Sequence, residues 1–269
     1  MIAVTFRKMA ELLGMDGQVI VVTGGSQGIG WGIVRTFLLE GAAVLCVDLV
    51  EPGEEELQSL GVLRDRLFYD KVDVSDPKLV AEFFGRVEKD FGRLDVLVNN
   101  AGVMYKSPVE KMDFNEWDKV IRVNLTGPML MTRAAIPLMK KRSRGRIMNI
   151  ASTQAFLGTK AYGAYTASKA GLIGLTRVLA AELVENGITV NAICPSFART
   201  PMINASLDAL AKSSGISREE ALAQFITQCP QRRLIEPEEI GHMLVFLASD
   251  MARGITGQVI LVNGGRFMR

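Results

Sequence analysis

From residue 18 onward the chain alternates short runs rich in β-branched residues with longer stretches of helical apolar spacing, and few architectures accommodate that rhythm. The short runs are QVIVV (18–22), AAVLCVD (42–48), RLFYDKVDV (66–74), LDVLVN (94–99), GRIMNI (145–150), ITVNAIC (188–194) and QVILVN (258–263). Between them, IGWGIVRTFLLEG (29–41), DPKLVAEFFGRVEKDFG (76–92), FNEWDKVIRVNLTGPMLMTRAAIPLMKKR (114–142) and YTASKAGLIGLTRVLAAELVENG (165–187) carry the helical period. Strands joined through helices run parallel, and strands that are apolar almost throughout are covered on both faces.

The expected fold class is therefore α/β, a Rossmann-like doubly wound parallel sheet of about seven strands with helices on both faces. Neither a Ser- or Pro-rich linker nor an internal repeat interrupts the alternation before about Cys194, so one domain over 1–269 is expected. The rhythm fails after Pro195. Residues 196–236 hold two helical patterns, LDALAK and SREEALAQFIT, with no strand between them. Open α/β sheets bind ligands beyond the carboxyl ends of their strands, so an insertion there is expected to cover substrate as a lid.

Charge excludes other classes of partner. Lys+Arg 31 against Asp+Glu 29 leaves +2, without a long basic run to attract nucleic acid or an anionic membrane. The cluster KKRSRGR (140–146) reads as a solvated helix end. No apolar run reaches the ~18 residues of a membrane span, and MIAVTFRKMAELLGM lacks the unbroken apolar core of a signal peptide. Cys46, Cys194 and Cys229 are odd in number and not at metal-ligand spacing, which implies a reduced, cytoplasmic setting and no metal. His242, the single histidine, and Trp31 and Trp117 read as packing groups.

Two local patterns carry chemistry. Thr23-Gly24-Gly25-Ser26-Gln27-Gly28-Ile29-Gly30 lies between the first strand and the first helix, where glycines let backbone amides and a helix N-terminus approach a pyrophosphate. Asp48 ends the second strand 18 residues beyond Gly30, near the spacing at which an acid accepts from an adenosine ribose. A carboxylate there repels a 2′-phosphate, and neither Ser26, Gln27 nor Leu49 is a cation, so NAD(H) is expected over NADP(H). In YGAYTASKAG, Tyr165 and Lys169 stand at i, i+4, placing an ammonium near a phenol on one helix face; Tyr162 has only Thr166 at that spacing.

These motifs, together with Asp73-Val74, NNAG (99–102), Asn124, Ser152 and ITGQ (255–258), stand in the order found in the short-chain dehydrogenase/reductase family, which the chain resembles over roughly residues 15–265. The resemblance implies a proton relay. Tyr165 exchanges a proton with the substrate oxygen, Lys169 lowers the phenol pKa and bonds the nicotinamide ribose, Ser152 holds the substrate oxygen, and Asn124 anchors a water linking Lys169 to solvent. It also implies that Asp73 and Val74 contact adenine, that Asn100, Ala101 and Gly102 admit the adenosine side, and that Thr200 holds the carboxamide. Ser196 replaces the glycine usual after Pro195. Read singly, a strand-end serine is a helix cap and a mid-helix asparagine a surface polar group.

Substrate contacts are expected from Ser152, Gln154, Tyr162, Tyr165 and the lid residue Asn204, with Phe156, Met104 and Tyr105 nearby and Lys160 and Arg199 as the nearest cations by sequence. The 3-hydroxybutyrate dehydrogenase branch places His, Lys and Gln where this chain has Gln154, Tyr162 and Met104. A neutral secondary alcohol, polyol, sugar-derived hydroxyl or cyclic ketone therefore fits at least as well as a small hydroxy acid. Alternatives are a 3-oxoacyl thioester reductase, a 3-hydroxy acid dehydrogenase, an isomerase or lyase using bound NAD, and a catalytically silent NAD-binding regulator. Apolar surface on helices 114–141 and 165–185, with the resemblance, implies a homotetramer.

Overall fold

The computed structural model describes residues 13–268; the N-terminal stretch read above as lacking a signal-peptide core lies, through residue 12, outside them. The strands are β1 Val19–Thr23, β2 Ala43–Asp48, β3 Leu67–Lys71, β4 Val96–Asn99, β5 Gly145–Ile150, β6 Ile188–Pro195 and β7 Val259–Val262. They form one parallel sheet in the order β3-β2-β1-β4-β5-β6-β7. Strand order reverses between β1 and β4, which opens a crevice at their carboxyl ends. All seven runs anticipated from composition become strands, the central ones buried along their whole length.

The helices are α1 Gly28–Leu39, α2 Glu54–Ser59, α3 Pro77–Phe91, α4 Phe114–Ile121, α5 Gly127–Lys140, α6 Gly163–Leu183, α7 Pro201–Ser214, α8 Arg218–Ile226 and α9 Pro237–Ala248. One core layer packs α1 and α9 on the sheet through Ile33, Phe37, Ile240 and Leu244; the other packs α3, α5 and α6 through Phe83, Met131 and Leu183. Glycines set the α1–α9 approach, since a Cβ on Gly32 would lie 2.3 Å from Pro237 and one on Gly241 2.3 Å from the Thr36 hydroxyl.

Local signals fix the helix ends. Asp76 caps α3 by accepting from Lys78 and Leu79, Pro77 occupies the first position, and left-handed Gly92 ends the helix. Ser217 and Glu220 form a reciprocal capping box on α8. The stretch 114–142 is not one regular helix: Arg122–Thr126 adopt a π-helical turn between α4 and α5. The basic cluster also departs from expectation. Arg146 is buried on β5 and pairs with Asp250 at 3.2 Å, because β5 is an interior strand covered along its whole length.

Asp95, at the opposite end of the sheet from the crevice, has a buried carboxylate that accepts from Arg93 at 2.7 and 2.8 Å and from the Val19 amide at 2.9 Å. A buried polar ladder runs across the sheet toward the crevice. Asn99 donates to Asn149 at 2.8 Å, and Asn149 donates to Thr176 on α6 at 2.9 Å. These bonds lock β4, β5 and α6 in register beneath the groups described next.

Candidate active site

The carboxyl ends of β1, β2, β4, β5 and β6 open into a cleft of about 830 Å³. The glycine turn forms one wall. Gly24 has φ +61, and a Cβ there would stand 2.8 Å from the Ala101 Cα; a Cβ on Gly30 would stand 1.9 Å from the Gly24 carbonyl. Asn100 fastens the turn to β4, donating to the carbonyls of Thr23 at 3.0 Å and Gly24 at 2.9 Å. Gln27, at the N-cap of α1, makes no side-chain capping bond, so the first-turn amides of α1 remain open for an anion.

Asp48 lines the cleft at the end of β2 with its carboxylate already oriented, accepting from the Ser26 amide at 3.1 Å and the Leu49 amide at 2.7 Å. Gly24, Gln27, Gly28, Ile29, Gly30, Leu49, Asp73, Val74, Asn100, Ala101, Gly102 and Thr200 line the same cleft. Ser26 does not: its side chain is buried and donates to the Val50 carbonyl at 2.6 Å, leaving its amide on Asp48. Thr200 caps α7, accepting from Ile203, and a Cβ on Gly28 would lie 3.1 Å from its methyl group. The start of α7 thus closes over the glycine turn. A cradle in which added Cβ atoms collide, beside open helix amides and a poised carboxylate, fits a dinucleotide.

Ser152, Tyr165, Lys169 and Asn124 converge at the other end. Ser152 follows β5 and accepts from the Gln154 amide at 3.1 Å, capping the short Thr153–Phe156 turn, while its hydroxyl lies close enough to the Tyr165 phenol to lower the phenol pKa. Cap and site residue are therefore one and the same. Lys169, one turn beyond Tyr165 on α6, donates to the Ile150 carbonyl at 2.7 Å and places Nζ 5.8 Å from the Tyr165 ring centroid.

Electrostatics separate the pair. Burial pushes the Tyr165 phenol up to about 12, partly offset by the Ser152 hydroxyl, and burial draws the Lys169 ammonium down to about 8. Additional positive charge beside Tyr165 lowers its pKa and so favours the proton-accepting form.

Asn124 sits inside the π turn, fully buried. Its side chain accepts from the Val103 amide at 2.8 Å and donates to the Val103 carbonyl at 2.9 Å and to Ser168 at 3.1 Å. The extra residue of a π turn rotates one side chain out of helical register, as is frequent at functional sites. Here that rotation ties the loop after β4 to α6, next to Gly102, where an added Cβ would lie 3.5 Å from Lys169 Nζ.

Gln154 and Tyr162 line the cleft, whereas Asn204 is exposed and its carbonyl oxygen is taken by Arg218 at 2.9 Å, so the lid turns it away from the site. Tyr162 is pinned by a bridge to Ser107, and Lys106 Nζ stands 5.1 Å from its ring centroid, a neighbour that helical spacing does not reveal. Lys160 and Arg199 are exposed and line no part of the cleft; Arg199 pairs with Glu236 at 3.1 Å. Two residues that sequence reasoning missed are Cys194, whose buried thiol lies beside Ser152 and has its pKa pushed up by burial to about 11, and Arg266, which enters the cleft from beyond β7. Gly264-Gly265 directly after the last strand was the available signal for Arg266, since a glycine pair there turns the chain back toward the ligand edge of the sheet.

A family model described as enoyl-(acyl carrier protein) reductase matches residues 15–266. The chain belongs to the short-chain dehydrogenase/reductase family. Among relatives, an uncharacterized oxidoreductase of Bacillus subtilis is 39% identical over 93% of this chain and 98% of its own length. A D-beta-hydroxybutyrate dehydrogenase of Cupriavidus necator is 34% identical over 93% of this chain and 98% of its own. The ligand-free aldohexose dehydrogenase of Thermoplasma acidophilum superposes with a TM-score of 0.88 at 32% identity, covering 96% of this chain and 97% of that one. The chain is thus a short-chain dehydrogenase/reductase with a Rossmann-like sheet, an oxidoreductase of the alcohol dehydrogenase and ketoreductase type, in a family that binds nicotinamide cofactors. Among the described residues no helix is long and apolar enough to cross a membrane, and no group of three or more ligand-type side chains is placed to hold a metal.

Proposed function

We propose that this short-chain dehydrogenase/reductase interconverts a secondary alcohol and its ketone with NAD(H), using Tyr165 as the proton-transfer group. The observation that carries the reading is the meeting of the Ser152 hydroxyl and the Tyr165 phenol on the floor of the cleft, with the Lys169 ammonium one turn away. The bound nicotinamide supplies the site that accepts or donates hydride. Ser152 orients the substrate oxygen and stabilises its developing charge, while Tyr165 takes or gives the proton. Lys169 holds α6 on β5 through Ile150 and, when charged, is the cation one turn from the phenol that favours its ionised form. Asn124 is the positioning residue for the loop carrying Gly102 and Val103.

Asp48 supports NAD(H) over NADP(H): its carboxylate already occupies the two backbone amides that a 2′-phosphate would need. Residues 196–236 act as a lid on one catalytic domain, with α7 closing on Gly28 and Lys106 reaching Ser206 of α7 at 3.4 Å. A cytoplasmic homotetramer is the assembly and setting proposed, supported by the exposure of Met129, Val178 and Val184 on α5, α6 and the turn that follows.

The test is absorbance-monitored reduction of NAD⁺ and NADP⁺ against secondary alcohols, polyols, sugars and hydroxy acids, with Tyr165→Phe in parallel. The substitution is expected to lower kcat by about 10²-fold or more while NADH still binds. Retained turnover in Tyr165→Phe would remove the phenol from proton transfer.

A further inference from the structure

The chain beyond β7 does not run off the surface but is folded back into the cleft. Gly264 (φ +59) and Gly265 (φ +82) make a left-handed turn, and the Asn263 side chain closes it, accepting from the Gly265 amide at 3.0 Å and donating to the Phe267 carbonyl at 2.7 Å. The Gln231 amide bonds the Gly264 carbonyl, and Phe267 stacks on Phe156 with centroids 5.1 Å apart and planes within 8°. Phe156 follows Ser152 by four residues, so the tail is anchored on the segment that carries the catalytic serine.

This clamp aims Arg266 into the cleft. Its guanidinium carbon lies 3.8 Å from the centroid of Phe197, which packs on Phe225 of α8 at 4.6 Å, and both rings line the cleft. Burial draws the arginine pKa below its ordinary value. Of five N–H donors, one is used, on the Gln228 side-chain oxygen at 3.3 Å; no carboxylate pairs with Arg266 among the described residues. A half-buried guanidinium stacked on an aromatic face, with open donors and no acid paired to it among the described residues, is a fork suited to an oxyanion. Arg266 and Tyr165 both lie within electrostatic reach of Tyr162, whose ring stands 6.5 Å from that of Tyr165.

We propose that Arg266 is the substrate-binding residue that receives a carboxylate, so that the substrate is a short hydroxy acid or its oxo acid, held with the carboxylate on Arg266 and the carbinol on Ser152 and Tyr165. The other permanent cations lining the cleft, Lys119 and Arg122, lie on α4 and the π turn that lead into Gly127, which packs on Val74 beside Asp73. One guanidinium matches the single charge of a carboxylate better than the double charge of a phosphate ester. Gln154, Tyr162 and Phe197 complete this pocket, and the cation comes from the far end of the chain instead of from the loop after β5. The proposal rests on the oxidoreductase reading above and goes beyond it by naming the substrate class.

Two measurements test it. The first compares kcat and KM for short hydroxy acids, their methyl esters and phosphorylated polyols in the wild type, Arg266→Gln and Arg266→Lys. Acids are expected to exceed their esters, and Arg266→Gln to lower kcat/KM on acids by about 30-fold or more, mainly through KM, while esters change by less than about threefold. Arg266→Lys, a point charge without the planar fork, is expected to fall between them. The second is calorimetry of malonate binding to protein saturated with NADH, with unchanged NADH affinity as the folding control. Malonate binding that is lost in Arg266→Gln supports the carboxylate site even if no alcohol in the panel turns over, in which case the oxidoreductase reading alone fails. Turnover of neutral alcohols with no malonate binding, a preference for phosphorylated substrates, or equal losses on acids and esters overturns the Arg266 assignment and leaves the reaction class standing. Absence of both turnover and malonate binding overturns both.

Discussion

Lys169 Nζ donates to the Ile150 carbonyl at 2.7 Å, fastening α6 to the end of β5 two residues before Ser152. The same burial that makes this bond strong disfavours the ammonium, whose pKa falls from 10.5 to about 8. Between about pH 8 and pH 10 the unfolded chain holds a proton at this position that the folded chain has lost, so stability rises with pH across that window, by about 3 kcal/mol at most. Above pH 10 the raised Tyr165 pKa acts in the opposite direction, because the folded chain then keeps a proton the unfolded one releases. Urea unfolding of cofactor-free protein at pH 7.5 and 9.5 checks this. The wild type is expected to gain stability at the higher pH and Lys169→Met to lose that gain; an equal gain in both proteins assigns the effect to another group.

Ser152 serves two masters, the Gln154 amide and the Tyr165 phenol. Ser152→Ala is expected to lower kcat by about 10²- to 10³-fold, as for removal of one donor to a developing oxyanion. The lost cap costs only about 1 kcal/mol, so a melting curve near that of the wild type separates chemistry from folding.

Asp48→Ser removes the carboxylate and frees the amides of Ser26 and Leu49. The ratio of kcat/KM for NADP⁺ to that for NAD⁺ is expected to rise by about tenfold or more, the value of one relieved like-charge contact. An unchanged ratio places cofactor discrimination elsewhere in the cleft.

Asn124→Leu keeps the branched side-chain shape but leaves the Val103 amide and carbonyl without their partner at a fully buried position, while Ser168 retains its bond to the Tyr165 carbonyl. A loss of about 2–4 kcal/mol in chemical denaturation is expected, since stranded buried groups each cost ~1–3 kcal/mol. Because Val103 and Gly102 share that loop, NADH affinity is expected to drop as well, measured by cofactor fluorescence; a stability loss with unaltered affinity confines Asn124 to the fold.

The fold was legible because it follows from periodicity and local chemistry. Seven apolar runs of strand length, helical spacing between them and a glycine turn after the first leave a doubly wound parallel sheet as the solution that buries both faces, and the family motifs fall at its strand ends. The Tyr165–Lys169 pair was equally readable, since four residues on a helix return to one face. What sequence left hidden depends on contacts between distant segments. Pro128 is the local signal for the break at Arg122–Thr126, since it has no amide for the Asn124 carbonyl, but that the turn carries Asn124 onto Val103, 21 residues earlier, is a contact sequence does not show.

The substrate end of the cleft shows the same division. Proximity in sequence to Ser152 and the lid pointed to Lys160, Arg199 and Asn204, yet all three face away from the cleft, and Arg199 and Asn204 are engaged by Glu236 and Arg218. Arg266, 114 residues beyond Ser152 by their numbering, is brought there because β7 adds to the edge of β6 and two left-handed glycines reverse the chain. Residue order therefore determined the sheet, the glycine turn and the pairing of Tyr165 with Lys169 on one helix face, each set by contacts a few residues apart or by alternation. Only the tertiary structure decided which cation from beyond β7 lines the cleft, because that depends on where a strand edge and a glycine turn deliver a side chain in space.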